Sequence, residues 1–254
     1  MNHTDYPAGA SVWQELEARS ADGLAEFYAA VLGWELRRVS ETAGVFLRSG
    51  TVVAGLRVDP QLDPSRAGWR TYLGAEDLDA ATDRAVTAGA RVIQRGKQLA
   101  VPGNAVELVD PFGALFGLAV LPPGVAVPPS PELGRLSLTD PTNHDVEKQL
   151  EFQRSLFPGQ ASEPVDPPIH FFRDADGTAL RGTNEVEPAL REMLPPHWLP
   201  WFNVADQAQA TAAATRAGGR VNTQDNVLSF GRWGVVVDPS GADFKVLQLT
   251  VPAL

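Results

Sequence analysis

Along Trp13-Gln14-Glu15-Leu16-Glu17 apolar and polar side chains alternate, the two-residue period of a half-buried strand. The period then lengthens. Leu24, Phe27, Tyr28 and Val31 recur at helical spacing, so a helix is predicted over residues 23–32, capped by Ser20-Ala21-Asp22 and stopped by Gly33. Strand-like runs follow at 35–39, 44–48 and 51–58, separated by turn residues. The same order returns at 69–74 (strand), 78–87 (helix, closed by Ala88-Gly89), 91–94, 99–101 with 105–109, and 115–120. A later stretch matches this one closely, with a helix over 207–217 ended by Gly218-Gly219. The unit is βαβββ, read over residues 10–58, 67–120, 133–183 and 196–249. Open four-stranded sheets bury an apolar face only by pairing. The fold class expected is therefore α+β, with two modules in each of two curved, barrel-like domains.

The second half repeats the first in detail. Glu107-Leu108-Val109-Asp110-Pro111-Phe112-Gly113-Ala114-Leu115-Phe116 returns as Gly234-Val235-Val236-Val237-Asp238-Pro239-Ser240-Gly241-Ala242-Asp243-Phe244, and residues 69–88 return as 198–217. A period of that length marks two copies of a whole domain rather than a solenoid. Leu121-Pro122-Pro123-Gly124-Val125-Ala126-Val127-Pro128-Pro129-Ser130-Pro131 carries no charge and no helical period, as a stiff, extended linker would. The domains expected are 10–121 and 133–250, joined by 122–132.

Composition acts mainly by exclusion. A chain of 254 residues can bury two cores of ordinary size. With 31 acidic against 21 basic side chains, the net charge of −10 opposes a phosphate-backbone partner. Cysteine is absent, which removes disulfides, thiolate metal sites and Cys nucleophiles. No apolar run reaches the roughly 18 residues of a membrane span, and the first nine residues lack a signal peptide's apolar region, so a soluble cytoplasmic protein is expected.

The run from Trp13-Gln14-Glu15-Leu16 to Phe27-Tyr28-Ala29-Ala30-Val31-Leu32-Gly33-Trp34 resembles the opening of the vicinal oxygen chelate superfamily, which includes glyoxalase I, bleomycin-resistance proteins and extradiol dioxygenases. The Asp-Pro-X-Gly turns at Asp110 and Asp238 resemble its closing hairpin. In the third module Phe152-Gln153-Arg154-Ser155-Leu156-Phe157-Pro158-Gly159 stands in for the Phe-Tyr helix end. The resemblance implies two tandem glyoxalase/bleomycin-resistance-like domains, and leaves isomerase, dioxygenase, thiol transferase and drug-binding functions open.

Metal-using members of that superfamily place His on a module's first strand and Glu on its last, facing the cavity. The corresponding positions here are Trp13, Arg70 and Leu199 for His, and Gly117 and Lys245 for Glu; residues 135–139 hold no His in any register. Indole, guanidinium, aliphatic and ammonium groups do not ligate a cation, so no metal and no cofactor are expected. Nor do His3, His144, His170 and His197 cluster in sequence. His3 lies near the terminus, His144 reads as a solvated turn residue and His197 as packing at the start of a strand. His170, strand-borne, remains a candidate ligand contact.

Alternation places Trp13, Glu15, Arg70 and Tyr72 on one wall and Leu199, Trp201, Asn203 and Lys245 on another. An aromatic wall with a few polar groups suits a small molecule; it equally suits a plug in which Glu15 and Arg70 neutralise each other. Two functions follow from the pocket. One is metal-independent binding of a planar or aromatic metabolite, with Trp13, Tyr72, Trp201, Asn203, Lys245 and His170 as contacts. The other is a metal-independent lyase or isomerase with Glu15 as general base and Arg70 as oxyanion partner. Either way the partner is a small molecule, not nucleic acid or membrane, and the chain is a monomer or homodimer. One functional pocket is expected, in the first half or at the seam, with the second half supporting it.

Overall fold

The computed structural model describes residues 4–166, 169–192 and 194–251, so His3 lies outside it. Each module supplies a strand, a helix and three further strands, as the pattern predicts. The first holds β1 (Ser11–Ala18), α1 (Leu24–Leu32), β2 (Glu35–Arg38), β3 (Ala43–Arg48) and β4 (Thr51–Val58). The second holds β5 (Gly68–Gly74), α2 (Leu78–Thr87), β6 (Arg91–Arg95), β7 (Asn104–Val109) and β8 (Leu115–Val120). The third holds β9 (Leu136–Asn143), α3 (Val146–Leu156), β10 (Ala161–Asp166), β11 (Ile169–Arg173) and β12 (Ala179–Glu185). The fourth holds β13 (His197–Asn203), α4 (Gln207–Arg216), β14 (Arg220–Leu228), β15 (Gly231–Val237) and β16 (Asp243–Leu249). They form two eight-stranded sheets, ordered β2-β3-β4-β1-β5-β8-β7-β6 and β10-β11-β12-β9-β13-β16-β15-β14. This is the α+β class expected.

Three local expectations are corrected. Asp77, Asp145 and Asp206 cap α2, α3 and α4 by accepting from a backbone N–H, whereas Ser20-Ala21-Asp22 does not cap α1. The Ser20 hydroxyl accepts from Asp22 N and closes a turn of its own, and Gly23 at φ 73° begins the helix instead. Residues 99–101 form no strand, because Pro102-Gly103 interrupts the ladder there. β12 continues past residue 183 to Glu185, an acid that pairs with Arg191.

The chain resolves into two compact units. One comprises Met1–Trp13, Thr71–Pro129 and Leu138–Leu199. Its core joins Ala81 and Ala85 of α2 to Phe152 and Leu156 of α3, with Phe116 stacked on Trp198 at 6.0 Å. The segment leading into β1 is tied to this core. Gly9 N donates to Gly74 O (2.8 Å), Leu121 N to the Tyr6 hydroxyl (2.8 Å) and Gln160 Nε2 to Ala8 O (2.6 Å). Residues 122–132 carry neither helix nor strand, yet Val127 is buried and its N–H donates to Val12 O at 2.7 Å.

The other unit comprises Gln14–Arg70, Ser130–Ser137 and Pro200–Leu254. Here α1 packs on α4 through Phe27, Val31, Ala210 and Ala214, around an aromatic cluster of Tyr28, Trp34, Phe46, Trp69, Phe202 and Phe244. Tyr28 meets Phe46 at 4.8 Å and Trp34 meets Phe202 at 4.9 Å, edge-on or tilted as ring quadrupoles favour.

The two Asp-Pro-X-Gly turns share one device and differ in one atom. Asp110 Oδ1 accepts from Phe112 N and Ala114 N, and Asp238 Oδ1 from Ser240 N and Ala242 N. Asp238 Oδ2 also accepts from the Tyr28 hydroxyl at 2.8 Å, whereas the side chain acting on the Asp110 carboxyl is Gln149. Burial raises both carboxyls, Asp110 to about 6, against the lowering pull of the turn N–H groups. A raised carboxyl favours the folded state while protonated, so its contribution is fully present below the ordinary value of 3.8 and is lost as pH rises through about 6. Asp110→Asn keeps the Oδ1 acceptor and abolishes the ionisation. The variant is expected to match the parent near about pH 4 and to exceed it by at most about 3 kcal/mol above about pH 7, at about 1.4 kcal/mol per pKa unit. Urea unfolding at both pH values measures the gap, and a gap that does not change with pH would contradict this assignment.

Candidate functional site

In each module the last strand runs parallel to the first, which sets facing residues side by side: Glu15 with Gly55, Tyr72 with Gly117, and Trp201 with Lys245. Positions 117 and 245, which the resemblance aligns with glutamate, are thus occupied by two different solutions.

At Gly117 the solution is steric. A β-carbon there would lie 2.1 Å from Cδ1 and 2.3 Å from Cε1 of Tyr72, so the phenol ring occupies the space a side chain would need. Tyr72 is fully buried. On the other flank Glu107 of β7 faces Gly117, and its Oε2 lies 4.0 Å from Lys97 Nζ. Glu107 is fully buried and was not among the candidates read from the sequence.

At Lys245 the solution is electrostatic. Its ammonium stands 4.0 Å from the centroid of the Trp201 ring and 5.2 Å from that of Trp233. Trp201 and Trp233 lie 5.5 Å apart and Phe230 closes the wall 6.3 Å from Trp201. Lys245 is 1 % exposed and Trp201 0 %, so the cation–π contact is desolvated, a setting in which it is worth about 2 kcal/mol. Sequence alternation placed Trp201 on this wall and the family resemblance placed Lys245 there; Trp233 and Phe230 complete it and were missed.

The remaining candidates are placed as follows. Trp13 is fully buried in the first compact unit. Glu15 and Arg70 are buried in the second, where Arg70 Nη2 donates to Arg66 O at 3.0 Å. Asn203 is tied to the chain entering β9, its Nδ2 donating to Ser130 O at 2.6 Å. His170 is partly buried opposite Thr183, on the face of β11 that carries Phe172. His144 meets Leu194 O at 2.9 Å, and His197 Nδ1 meets Thr142 Oγ1 at 2.9 Å. An open crevice of about 670 Å³ lies among Ala29, Ala30, Arg48, Leu133, Ala212 and Arg216, and Asn203 alone of the sequence candidates lines it.

A further buried charge escaped the sequence reading. Arg181 donates from Nε to Gln153 Oε1 (2.7 Å) and from Nη1 to Gly9 O (2.9 Å) and Gln160 Oε1 (2.7 Å), with Phe172 and Phe157 against its guanidinium at 4.3 and 4.9 Å. Burial lowers it to about 9, so it is charged at neutral pH, and among the described residues no carboxylate pairs with it. Its strand position, flanked by Leu180 and Gly182, carried no periodic signal for a cation on the helix side.

A divalent ion does not fit these positions. The first strands offer Trp13, Arg70, Leu138 and Leu199 as their third residues, and a phenol ring and a buried ammonium stand where carboxylates would be needed. Among the described residues no group of three or more His, Asp or Glu side chains gathers closely enough to hold an ion. None of the described helices is long and apolar enough to cross a membrane.

The chain folds as two sheets of paired βαβββ modules, and its residues 13–119 match the glyoxalase-like domain family. The fold is that of a Mn(II)-bound glyoxalase from Novosphingobium aromaticivorans, with a TM-score of 0.64, 15 % identity, and coverage of 95 % of this chain and 83 % of that one. In sequence it is 28 % identical over 277 residues to the anthracycline biosynthesis protein DnrV of Streptomyces peucetius, covering 97 % of this chain and 95 % of DnrV. It is also 27 % identical over 254 residues to CFP32 of Mycobacterium tuberculosis, provisionally named a glyoxylase, covering 96 % of this chain and 97 % of CFP32.

Proposed function

We propose that this protein binds a small metabolite in an accessory role in secondary metabolism, and does so without a divalent ion. The observation that carries the reading is the Tyr72 ring seated over Gly117, matched by the Lys245 ammonium over Trp201 at the sister position. Loss of a metal ligand by drift would leave a hole or a stray polar group. Here one position is packed by an aromatic ring and the other holds a cation, which repels a second cation and attracts an anion. The name of DnrV, an anthracycline biosynthesis protein, supports a place beside polycyclic aromatic chemistry. The test is thermal unfolding with Mn²⁺, Ni²⁺ or Zn²⁺ in excess, and again with EDTA. A ligand present at about 100 times its Kd adds about 2.7 kcal/mol to the folded state, so an ion site would raise the midpoint by several degrees. No shift in either direction is expected, and a saturable rise with one ion would overturn the reading.

A second reading draws on Glu15 and Arg70, both buried within one compact unit, as base and oxyanion partner of a metal-independent isomerase or lyase. Turnover lost in Glu15→Gln with binding retained would favour it.

A further inference from the structure

We infer that the crevice between α1 and α4 is the ligand site, and that its ligand is a small organic anion with an apolar body and a hydroxyl group. This rests on the small-molecule reading above and gives it a place and a ligand class. The two helices come from opposite halves of the chain, yet both lie in one compact unit.

The crevice exists because its walls are short. Ala29 and Ala30 of α1 and Ala208 and Ala212 of α4 are exposed, and methyl groups do not fill the space between two helix surfaces. Its volume of about 670 Å³ falls in the range that takes a small ligand.

Arginine sets its charge. Arg48 is seated between two glycines: a β-carbon at Gly33 would collide with its guanidinium, and one at Gly134 would lie 3.2 Å from its Nε. Its Nη1 donates to Gly33 O at 2.9 Å, which holds the guanidinium at the C-terminal end of α1. Arg216, in the last turn of α4, lines the same crevice. Among the described residues neither arginine pairs with a carboxylate. Asp206, the acid among the lining residues, is engaged in capping α4, accepting from Gln209 N at 2.9 Å and Gln209 Nε2 at 3.3 Å.

Asn203 supplies an independent sign of a ligand. It is 2 % exposed and lines both this crevice and a smaller cavity of about 240 Å³. Its Nδ2 donates to Ser130 O and Glu132 O, which fixes the orientation of the amide and leaves Oδ1 buried with no donor among the described residues. Buried acceptors are ordinarily satisfied. Leu133 lines both cavities and is half exposed, and it is the side chain a ligand would turn aside to reach that oxygen.

Charge, apolar wall and orphan acceptor define one class of molecule. Its anionic group sits at Arg48 and Arg216, its apolar body lies on the alanines, and its hydroxyl donates to Asn203 Oδ1. An inorganic anion satisfies only the first contact and a neutral arene only the second.

Calorimetric titration of the full chain with 6-hydroxy-2-naphthoate, 2-naphthoate and 2,6-dihydroxynaphthalene separates the contacts. The hydroxynaphthoate is expected to bind roughly fivefold more tightly than 2-naphthoate, the increment of one hydrogen bond. It should bind roughly tenfold more tightly than the neutral diol. Arg48→Met should weaken both carboxylates roughly tenfold and the diol by less than about twofold. Arg216→Gln, at an exposed position, should weaken the carboxylates selectively too, which keeps the test valid where Arg48→Met does not fold. Ala212→Phe fills the crevice from an exposed helix position and should abolish binding of all three probes. The inference is overturned by any of three results: no binding of the hydroxynaphthoate, no advantage of it over 2-naphthoate, or undiminished binding to Ala212→Phe. Each leaves the ion-free reading standing. Carboxylate binding that EDTA abolishes overturns the ion-free reading itself.

Discussion

Arg181→Met is expected to cost about 3–5 kcal/mol of folding stability. Methionine keeps the aliphatic stem and its contact with Phe157 and Phe172, so little apolar packing is lost. What is lost is the donor set: Gln153 Oε1, Gly9 O and Gln160 Oε1 all accept from this guanidinium in a site that water does not reach. A buried cation without a carboxylate is costly, and replacing it by an apolar group would be neutral or stabilising if the charge were merely tolerated. Three orphaned acceptors reverse that sign. The fit is also close, since a β-carbon at Gly9 would lie 2.6 Å from Nη1. The urea midpoint should fall with the m-value unchanged, and residues 4–10 should become cleavable under native conditions. An equal or higher midpoint would show that Arg181 does not hold the segment leading into β1.

Gly117→Ala should cost about 3 kcal/mol, the upper end for a single added methyl in a packed core. Backbone strain plays no part, because no left-handed φ is involved at this glycine. The penalty arises from the fully buried Tyr72 ring 2.1 Å away, which would have to shift to make room. The same substitution in a Tyr72→Ala background should be nearly neutral, giving a coupling energy of about 2–3 kcal/mol in a double-mutant cycle. Additive losses would mean that the ring does not fill the vacated glutamate position.

Much of this was legible in the chain. The switch from a two-residue to a 3.6-residue period marked the first module clearly and the third only weakly, and α2 falls on the residues predicted, because its Asp77 cap and Ala88-Gly89 stop are local signals. Trp201 was placed on the wall by alternation and Lys245 by the family resemblance at the Asp238 turn, and parallel pairing of β13 with β16 sets them side by side. Local signals fail where a partner is chosen by tertiary register. Glu107 meets Lys97 across a ten-residue excursion, and Arg181 meets Gly9 from far along the chain. A charged residue between Val106 and Leu108, inside an otherwise apolar run, was the one available hint of the first pair. Asn203 shows the opposite failure. Its alternation matches Trp201, yet the chain before β9 folds back and takes its amide with Ser130 O. Which module's helix packs on which was equally silent, because the helix faces present similar small and apolar residues: α2 lies against α3, and α1 against α4.

The proposed ion-free binding implies that this scaffold has exchanged metal coordination for aromatic and cationic contacts. Elemental analysis of the protein, purified without chelator from cells grown with Mn, Fe, Co, Ni and Zn, tests it most directly. The expected result is no divalent ion approaching one equivalent per chain, before or after incubation with each metal. One equivalent of a single ion, retained through gel filtration and lost in a Gly117 or Lys245 variant, would contradict it.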